Sequence, residues 1–202
     1  MYIKNIMKGV NNMKLIVGLG NPGEEYDKTR HNVGYMLLDY LMDGNKFLFN
    51  KKNKAFEYET IVAGEKILFI KPTTFMNFSG EAVLKYVKFY KLNLDDILVI
   101  QDDLDIDIGK YKLIFNHGDG GHNGIKNIIN CLASRKFLRL KVGISKTNDD
   151  TVDYVLGKFN KKELEKINEV FIELKDILCD FVKMNQDLLI GKYNTIGKKE
   201  NK

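Results

Sequence analysis

Cysteine, proline and long apolar runs are all scarce in this chain. Only Cys131 and Cys179 occur among its 202 residues, far apart and each within an apolar, helix-like stretch. That excludes a disulfide framework and favours buried thiols in a reducing, cytoplasmic compartment. Two prolines against 17 glycines exclude a collagen-like chain. Apolar runs end after a few residues at Lys, Asp or Gly, far short of the roughly 20 that a spanning helix needs, so no membrane segment is expected. Residues 1–12 (MYIKNIMKGVNN) lack the apolar core of a secretory signal and the Arg-rich, Ser-rich bias of a transit peptide. They read as a short extension ahead of a domain over 13–191, with Met13 an alternative start. The lysine-rich end, 192–202, reads as a frayed basic tail.

What is present is an ordinary globular mix, 44% hydrophobic and 29% charged, which disfavours wholesale disorder. The net charge of +5 permits a polyanionic partner without demanding one. From Met13 the chain repeats the order apolar run, loop, amphipathic stretch, the signature of an α/β domain with a mixed, largely parallel, twisted sheet. Strands are expected at Lys14 to Gly18, Ala55 to Ala63, Lys66 to Lys71 and Ile97 to Gln101, with Gly64 and Glu65 turning the hairpin. Phe137 to Ile144 alternates Arg139 and Lys141 with apolar neighbours, as a half-buried strand does. Helices are expected over Val33 to Met42, Gly80 to Leu92, Ile125 to Ala133 and about 160 to 185.

Four polar clusters adjoin these elements: GLGNPG after the first strand, PTTFMN after Lys71, DDLD after Gln101, and GDGGHNG before the helix at 125. Ligands of open α/β sheets bind outside the carboxyl ends of the strands, so these clusters are expected to converge. The rim would then hold Asn21, His31, Asn32, Asn77, Asp102, Asp103, His122 and Asn123. No Ser or Cys sits in a nucleophile setting such as GxSxG. A His oriented by an Asp is suited to draw a proton from water, and carboxamides to stabilise an oxyanion, so direct hydrolysis by activated water fits this set. Plainer roles compete: His31 as a capping residue, Asp102 and Asp103 as a turn, and Asn123 as a helix cap.

Three other chemistries fail on context. GLGNPG matches the dinucleotide fingerprint, but Pro22 and the polar run EEYDKTRHN delay the helix that should open at the glycines. The acidic partner expected about 20 residues on falls at Asp39 or Asp43, inside the helical pattern. His31, His117, His122 and the distant cysteines show no zinc-ligand spacing. Asp103, Asp105 and Asp107 imitate a calcium loop, but its last position is Ile114 where a bidentate Glu is required.

Taken in order, KLIVGLGNPGEEYDKTRHNVG, KPTTFMNFSGEAV, DDLD, GGHNG and VDYVLGKF resemble the bacterial-type peptidyl-tRNA hydrolases. The resemblance implies a single three-layer α/β/α domain, monomeric, without cofactor or metal, that cleaves the ester between a peptide and the 3′ ribose of tRNA released from stalled ribosomes. By this likeness His31 is the base, Asp102 orients it, and Asn21 lies beside the attacked carbonyl. Asn77 and Asn123 hold the substrate's 3′ end and peptide backbone, Tyr26 and Met76 line the cleft, and His122 belongs to the substrate-binding glycine loop. Gln101 departs from the His or Tyr often found before the catalytic Asp. Ile114 stands where the family places a cation on a tRNA phosphate; Lys141 keeps the other half of that clamp. Lys112, two residues before Ile114 and on the same strand face, is expected to compensate. A chloroplast splicing factor resembles these hydrolases too and serves as a non-catalytic RNA-binding module; retention of His31, Asn21 and Asp102 separates this chain from it.

Overall fold

In the computed structural model, which describes residues 13–42, 44–146 and 150–199, strand β1 (Met13–Gly18) shows how the core is divided. Side chains alternate across a strand, so Leu15 and Val17 enter one apolar layer and Ile16 the other, all fully buried. Burial on both faces is why this strand reads as an unbroken apolar run. After β1 come α1 (Val33–Met42), β2 (Leu48–Asn50), β3 (Ala55–Val62), β4 (Glu65–Pro72), α2 (Ser79–Tyr90), β5 (Ile97–Asp103) and β6 (Tyr111–Phe115). The chain ends with α3 (Asn123–Leu132), β7 (Leu138–Gly143), α4 (Thr151–Leu156), α5 (Lys161–Phe181) and α6 (Gln186–Lys199).

The seven strands lie in the order β2-β3-β4-β1-β5-β7-β6. The centre, β4-β1-β5-β7, is parallel, and β2, β3 and β6 add antiparallel edges. Helices α1, α5 and α6 cover the face that includes Ile16, Ile100 and Leu140; α2 and α3 cover the face of Leu15, Val17 and Val99. The three-layer α/β/α sandwich is therefore the fold. Where β1 hands over to α1 the backbones nearly touch: a Cβ on Gly18 would lie 2.5 Å from the Gly34 carbonyl oxygen, and one on Gly34 2.5 Å from the Leu19 nitrogen. Only glycine allows that approach, and it lays the turn before α1 directly over the strand exits.

Several elements differ from what the sequence pattern suggests. The hairpin turns at Ala63 and Gly64, both at positive φ (53° and 86°), while Glu65 already pairs with Val62. A two-residue turn with both centres left-handed matches the twist of the flanking strands better than the expected Gly64–Glu65 turn. Strand β5 runs through Asp102 and Asp103, which are therefore strand residues and not a turn. Strand β7 is not half-exposed: Arg139 is only 1% exposed, because β7 lies between β5 and β6 and Arg139 Nη2 donates to the Gly118 carbonyl (2.8 Å). Cys131 and Cys179 are free thiols, half-buried instead of buried.

The lysine-rich end also departs from the expected loose tail. Helix α6 buries Tyr193, and the Asn194 carboxamide accepts from Leu113 N (2.9 Å) and donates to Leu113 O (2.8 Å). A carboxamide matches the peptide group, so it satisfies an edge strand whose outer hydrogen bonds have no neighbouring strand. The extension over 1–12 lies outside the described residues. Among the described residues no helix is long and apolar enough to cross a membrane.

Candidate active site

The chain leaves β1 toward β4 on one side and reaches β5 on the other, so the carboxyl end of β1 is a topological switch point, where such sheets open a crevice. Three exits meet there: the loop after β1 with Asn21, the segment after β4 with Met76, and the end of β5 with Asp102. Their convergence is recorded in hydrogen bonds between residues far apart in sequence. Met76 N donates to Asn21 Oδ1 (2.8 Å), and His31 Nδ1 lies 2.9 and 3.0 Å from the two oxygens of Asp102.

Asp102 is 4% exposed and stands between two imidazoles, with His122 Nε2 3.0 Å from the same Oδ1 that His31 approaches. The tautomers follow from the partners. Ile125 N donates to His122 Nδ1 (3.3 Å) as α3 begins, so the ring proton of His122 sits on Nε2 and points at Asp102. His31 donates from Nδ1 and keeps a bare Nε2, which has no partner among the described residues. Burial alone would raise the Asp102 pKa, but the charges and hydrogen bonds of His31 and His122 prevail and hold it well below the usual carboxylate range. Burial alone would lower the His31 pKa, but the charge of Asp102 and its hydrogen bond outweigh it, so His31 titrates above its ordinary value.

The second half of the site is a carboxamide relay. Asn32 Oδ1 accepts from Asn21 N (2.8 Å) and Asn32 Nδ2 donates to Asn21 O (2.9 Å), a reciprocal pair that fixes the backbone of Asn21. With Oδ1 engaged by Met76 N, the Asn21 side chain has a single orientation, and Nδ2 is its remaining donor. Thus the 3-10 turn Arg30–Asn32 carries the imidazole and also fixes the amide beside it. Beside His31, Asp102 and His122 lies a cleft of about 310 Å³, walled on its far side by Val152 and Val155 of α4. A second cavity of about 240 Å³, between α1, β3, β4 and α5, is mostly apolar and contains none of these groups.

The family model described as peptidyl-tRNA hydrolase matches residues 15–202. The chain belongs to the peptidyl-tRNA hydrolase family. Peptidyl-tRNA hydrolase of Clostridium perfringens (strain SM101 / Type A) is 41% identical over 188 residues, covering 92% of this chain and 99% of that protein. That of Thermoanaerobacter sp. (strain X514) is 43% identical over 183 residues, covering 90% and 100%. A crystal structure of peptidyl-tRNA hydrolase from Acinetobacter baumannii superposes with a TM-score of 0.80 at 32% identity, covering 93% of this chain and 95% of that one. A complex of peptidyl-tRNA hydrolase with N-propanol gives 0.84 at 31%, covering 90% and 94%.

The family resemblance assigned further residues to the cleft, and the structure distributes them unevenly. Tyr26 is half-buried and meets Phe75 edge-on, ring centroids 6.2 Å apart, while Met76 is buried. Phe75 has a left-handed φ of 55° and is half exposed; this strained position, which aims Met76 N at Asn21, left no mark in the PTTFMN motif. Asn77 and Asn123 are both exposed, Asn77 in the 3-10 turn Met76–Phe78 and Asn123 opening α3, and of the two Asn123 lines the cleft beside His31. His122, not Asn123, caps α3, and its other nitrogen meets Asp102 while the residue lines the cleft.

The basic pair takes a different form from the expected one. Lys141 is not a free cation, since its ammonium pairs with Asp103. Lys112 stands directly opposite Lys141 in the β6–β7 ladder, and Ile114 opposite the buried Arg139. Lys112 and Lys141 thus share one face of the sheet. As for metals, the ligand atoms of His31, Asp102 and His122 lie within 4.8 Å of one another, a cluster that sequence spacing did not reveal. The donor set is poorly prepared for an ion: His122 would have to give up its Nε2 proton while Nδ1 still faces the Ile125 N–H.

Proposed function

We propose that this chain hydrolyses the ester between a peptide and the 3′ ribose of tRNA, with water as nucleophile and His31 as general base. The observation that carries the reading is the paired orientation at the switch point: His31 has Nδ1 committed to Asp102 and Nε2 bare, and Asn21 has Oδ1 committed to Met76 and Nδ2 available. Water loses a proton to His31 Nε2 as its oxygen bonds to the ester carbon. The carbonyl oxygen becomes an oxyanion that accepts from Asn21 Nδ2, and Asp102 stabilises the imidazolium. Collapse of the tetrahedral intermediate breaks the bond to the ribose 3′ oxygen, which takes the proton back from His31 Nε2. The products are a peptide acid, which gives its proton to solvent and becomes the carboxylate, and a tRNA with a free 3′ hydroxyl.

The exposed carboxamides of Asn77 and Asn123 are suited to the substrate's 3′ end and peptide backbone, and Tyr26 and Met76 to its apolar or aromatic parts. His122 acts through Asp102. Lys141 and Lys112 are assigned to a tRNA phosphate, which would compete with Asp103 for Lys141. No step needs a metal, and the protonation of His122 supports a metal-free site. Free thiols are in keeping with a reducing cytoplasm, and the reading is of a monomer. The test is release of N-acetyl-aminoacyl groups from tRNA by the purified chain. Release that His31→Ala abolishes is the expected result; tRNA binding without release would favour the RNA-binding alternative.

A further inference from the structure

The 3-10 turn Arg30–Asn32 has three consecutive side chains bound to three different places. His31 reaches Asp102 and Asn32 reaches Asn21, while Arg30 turns outward to α4 and α5. Arg30 Nη2 donates to both carboxylate oxygens of Glu163 (3.0 and 2.9 Å), and Nη1 donates to the Tyr154 carbonyl (3.3 Å). Its guanidinium lies over the Tyr154 ring at 4.2 Å and 5.6 Å from the Phe159 ring. The backbone is stapled at the same place: Arg30 N donates to Gly157 O (3.0 Å), Phe159 N to Lys28 O (3.0 Å), and Thr29 bridges Lys158. The pair is 11% and 19% exposed, so solvent screens it less than an ordinary surface bridge.

Helix α4, which this guanidinium holds through Tyr154, is also the helix whose Val152 and Val155 wall the cleft. One side chain therefore ties the wall of the cleft to the residue next to the base. Resting on the hydrolase reading above, we infer that Arg30, gripped by Glu163, is a positioning residue for the reaction: it sets the direction of the His31 imidazole and its distance from the α4 wall. A reacting group must be held within about 0.5 Å and 10–20° of its productive geometry. Without the guanidinium the backbone staple and the His31 and Asn32 contacts remain, but the turn loses its side-chain tie to α4 and α5, and the imidazole gains freedom beyond that range. Lysine cannot replace the residue, because a point charge has neither the planar fork that spans Glu163 nor the flat face that stacks on Tyr154.

Glu163→Gln separates this role from simple stability. Glu163 is also the third residue of α5, where its side chain accepts from Asn160 N (2.8 Å) in a capping box. Glutamine serves equally in that box, so α5 keeps its cap while the grip on Arg30 loses its charge. With the full-length chain, Glu163→Gln should melt close to wild type yet lose about threefold to tenfold in kcat, KM changing less than about twofold, the pattern of a lost transition-state interaction. Arg30→Met, which keeps the stem over Tyr154, should lose about tenfold to a hundredfold, on the scale that a misplacement near 1 Å costs, and Arg30→Lys should recover only part of that. The ring resonance of His31, assigned by its loss in His31→Ala, should shift or split in Glu163→Gln. Wild-type kcat together with an unmoved His31 resonance in folded Glu163→Gln would overturn the inference, even if Arg30→Met does not fold. If wild type itself releases no acyl group from tRNA, the hydrolase reading fails, and the resonance still decides whether Arg30 positions His31.

Discussion

Asp102→Asn removes the charge between the two imidazoles but leaves a shape they can still bond. Oδ1 of Asp102 serves both rings, at 2.9 Å from His31 Nδ1 and 3.0 Å from His122 Nε2, while the one hydrogen bond of Oδ2 among the described residues is to His31. Because the Ile125 N–H keeps His122 donating through Nε2, a carboxamide at this position turns its oxygen to the shared side. That oxygen still accepts from His31 Nδ1, so the tautomer with a bare Nε2 survives. What disappears is the charge, and an opposite charge at this range moves a pKa by about 1–3 units.

The sign of the pH effect follows. Neutral His31 is the active base, and in wild type Asp102 outweighs burial to hold its pKa above 6.5, so activity should fall on the acid side from a pH above that value. In Asp102→Asn the charge is gone and only a neutral hydrogen bond opposes burial, so the acid limb should move down by about 1–3 pH units. Plateau kcat should fall about tenfold to a hundredfold, less than the loss of about 10² or more expected for His31→Ala. The assay is kcat against pH for both variants on N-acetyl-aminoacyl-tRNA. An acid limb that stays in place or moves up would refute the electrostatic argument. A plateau loss as large as that of His31→Ala would show that the tautomer does not survive.

Three further outcomes test other parts of the site. Activity should survive excess EDTA and thiol-blocking reagents, since neither a metal nor Cys131 or Cys179 enters the proposed steps; loss of activity in chelator, restored by zinc, would show that His31, Asp102 and His122 bind an ion. A Cβ at Gly124 would lie 2.5 Å from Met76 Sδ and 3.2 Å from His122 Cε1, so Gly124→Ala should displace the thioether and raise KM by about threefold or more, with any fall in kcat reporting the push on His122; an unaltered KM would remove Met76 from the substrate contacts. Lys112→Ala should weaken tRNA binding and lower its salt dependence by about one phosphate contact, with Ile114→Arg acting in the opposite direction. A wild-type KM indifferent to the tRNA 5′ phosphate would show that Lys112 does not replace the missing cation.

The parts of this molecule legible in its sequence are those where a period or a strand exit carries the message. KLIVG reads as a doubly buried strand, α1 begins and ends where its apolar pattern does, and the rule that ligands gather at strand ends brings the GLGNPG, PTTFMN and DDLD clusters together before any distance is known. What stayed hidden depends on partners from elsewhere in the chain. Arg139 has the pattern of an exposed strand residue until a glycine-rich loop covers it, and Asn194 has the pattern of a tail residue until β6 offers an uncapped edge. The same limit governs the site. The motif around His31 marks a candidate base, but which of its nitrogens is free depends on Asp102, 71 residues away. How Asp102 is shared depends on His122, and the proton on His122 depends on the first turn of α3. Residue types are a property of the motif, whereas protonation and direction are a property of the packing. A sequence can therefore retain His31, Asn21 and Asp102 and still lose turnover through Arg30, Asn32 or His122, which touch no reacting atom in the proposed mechanism.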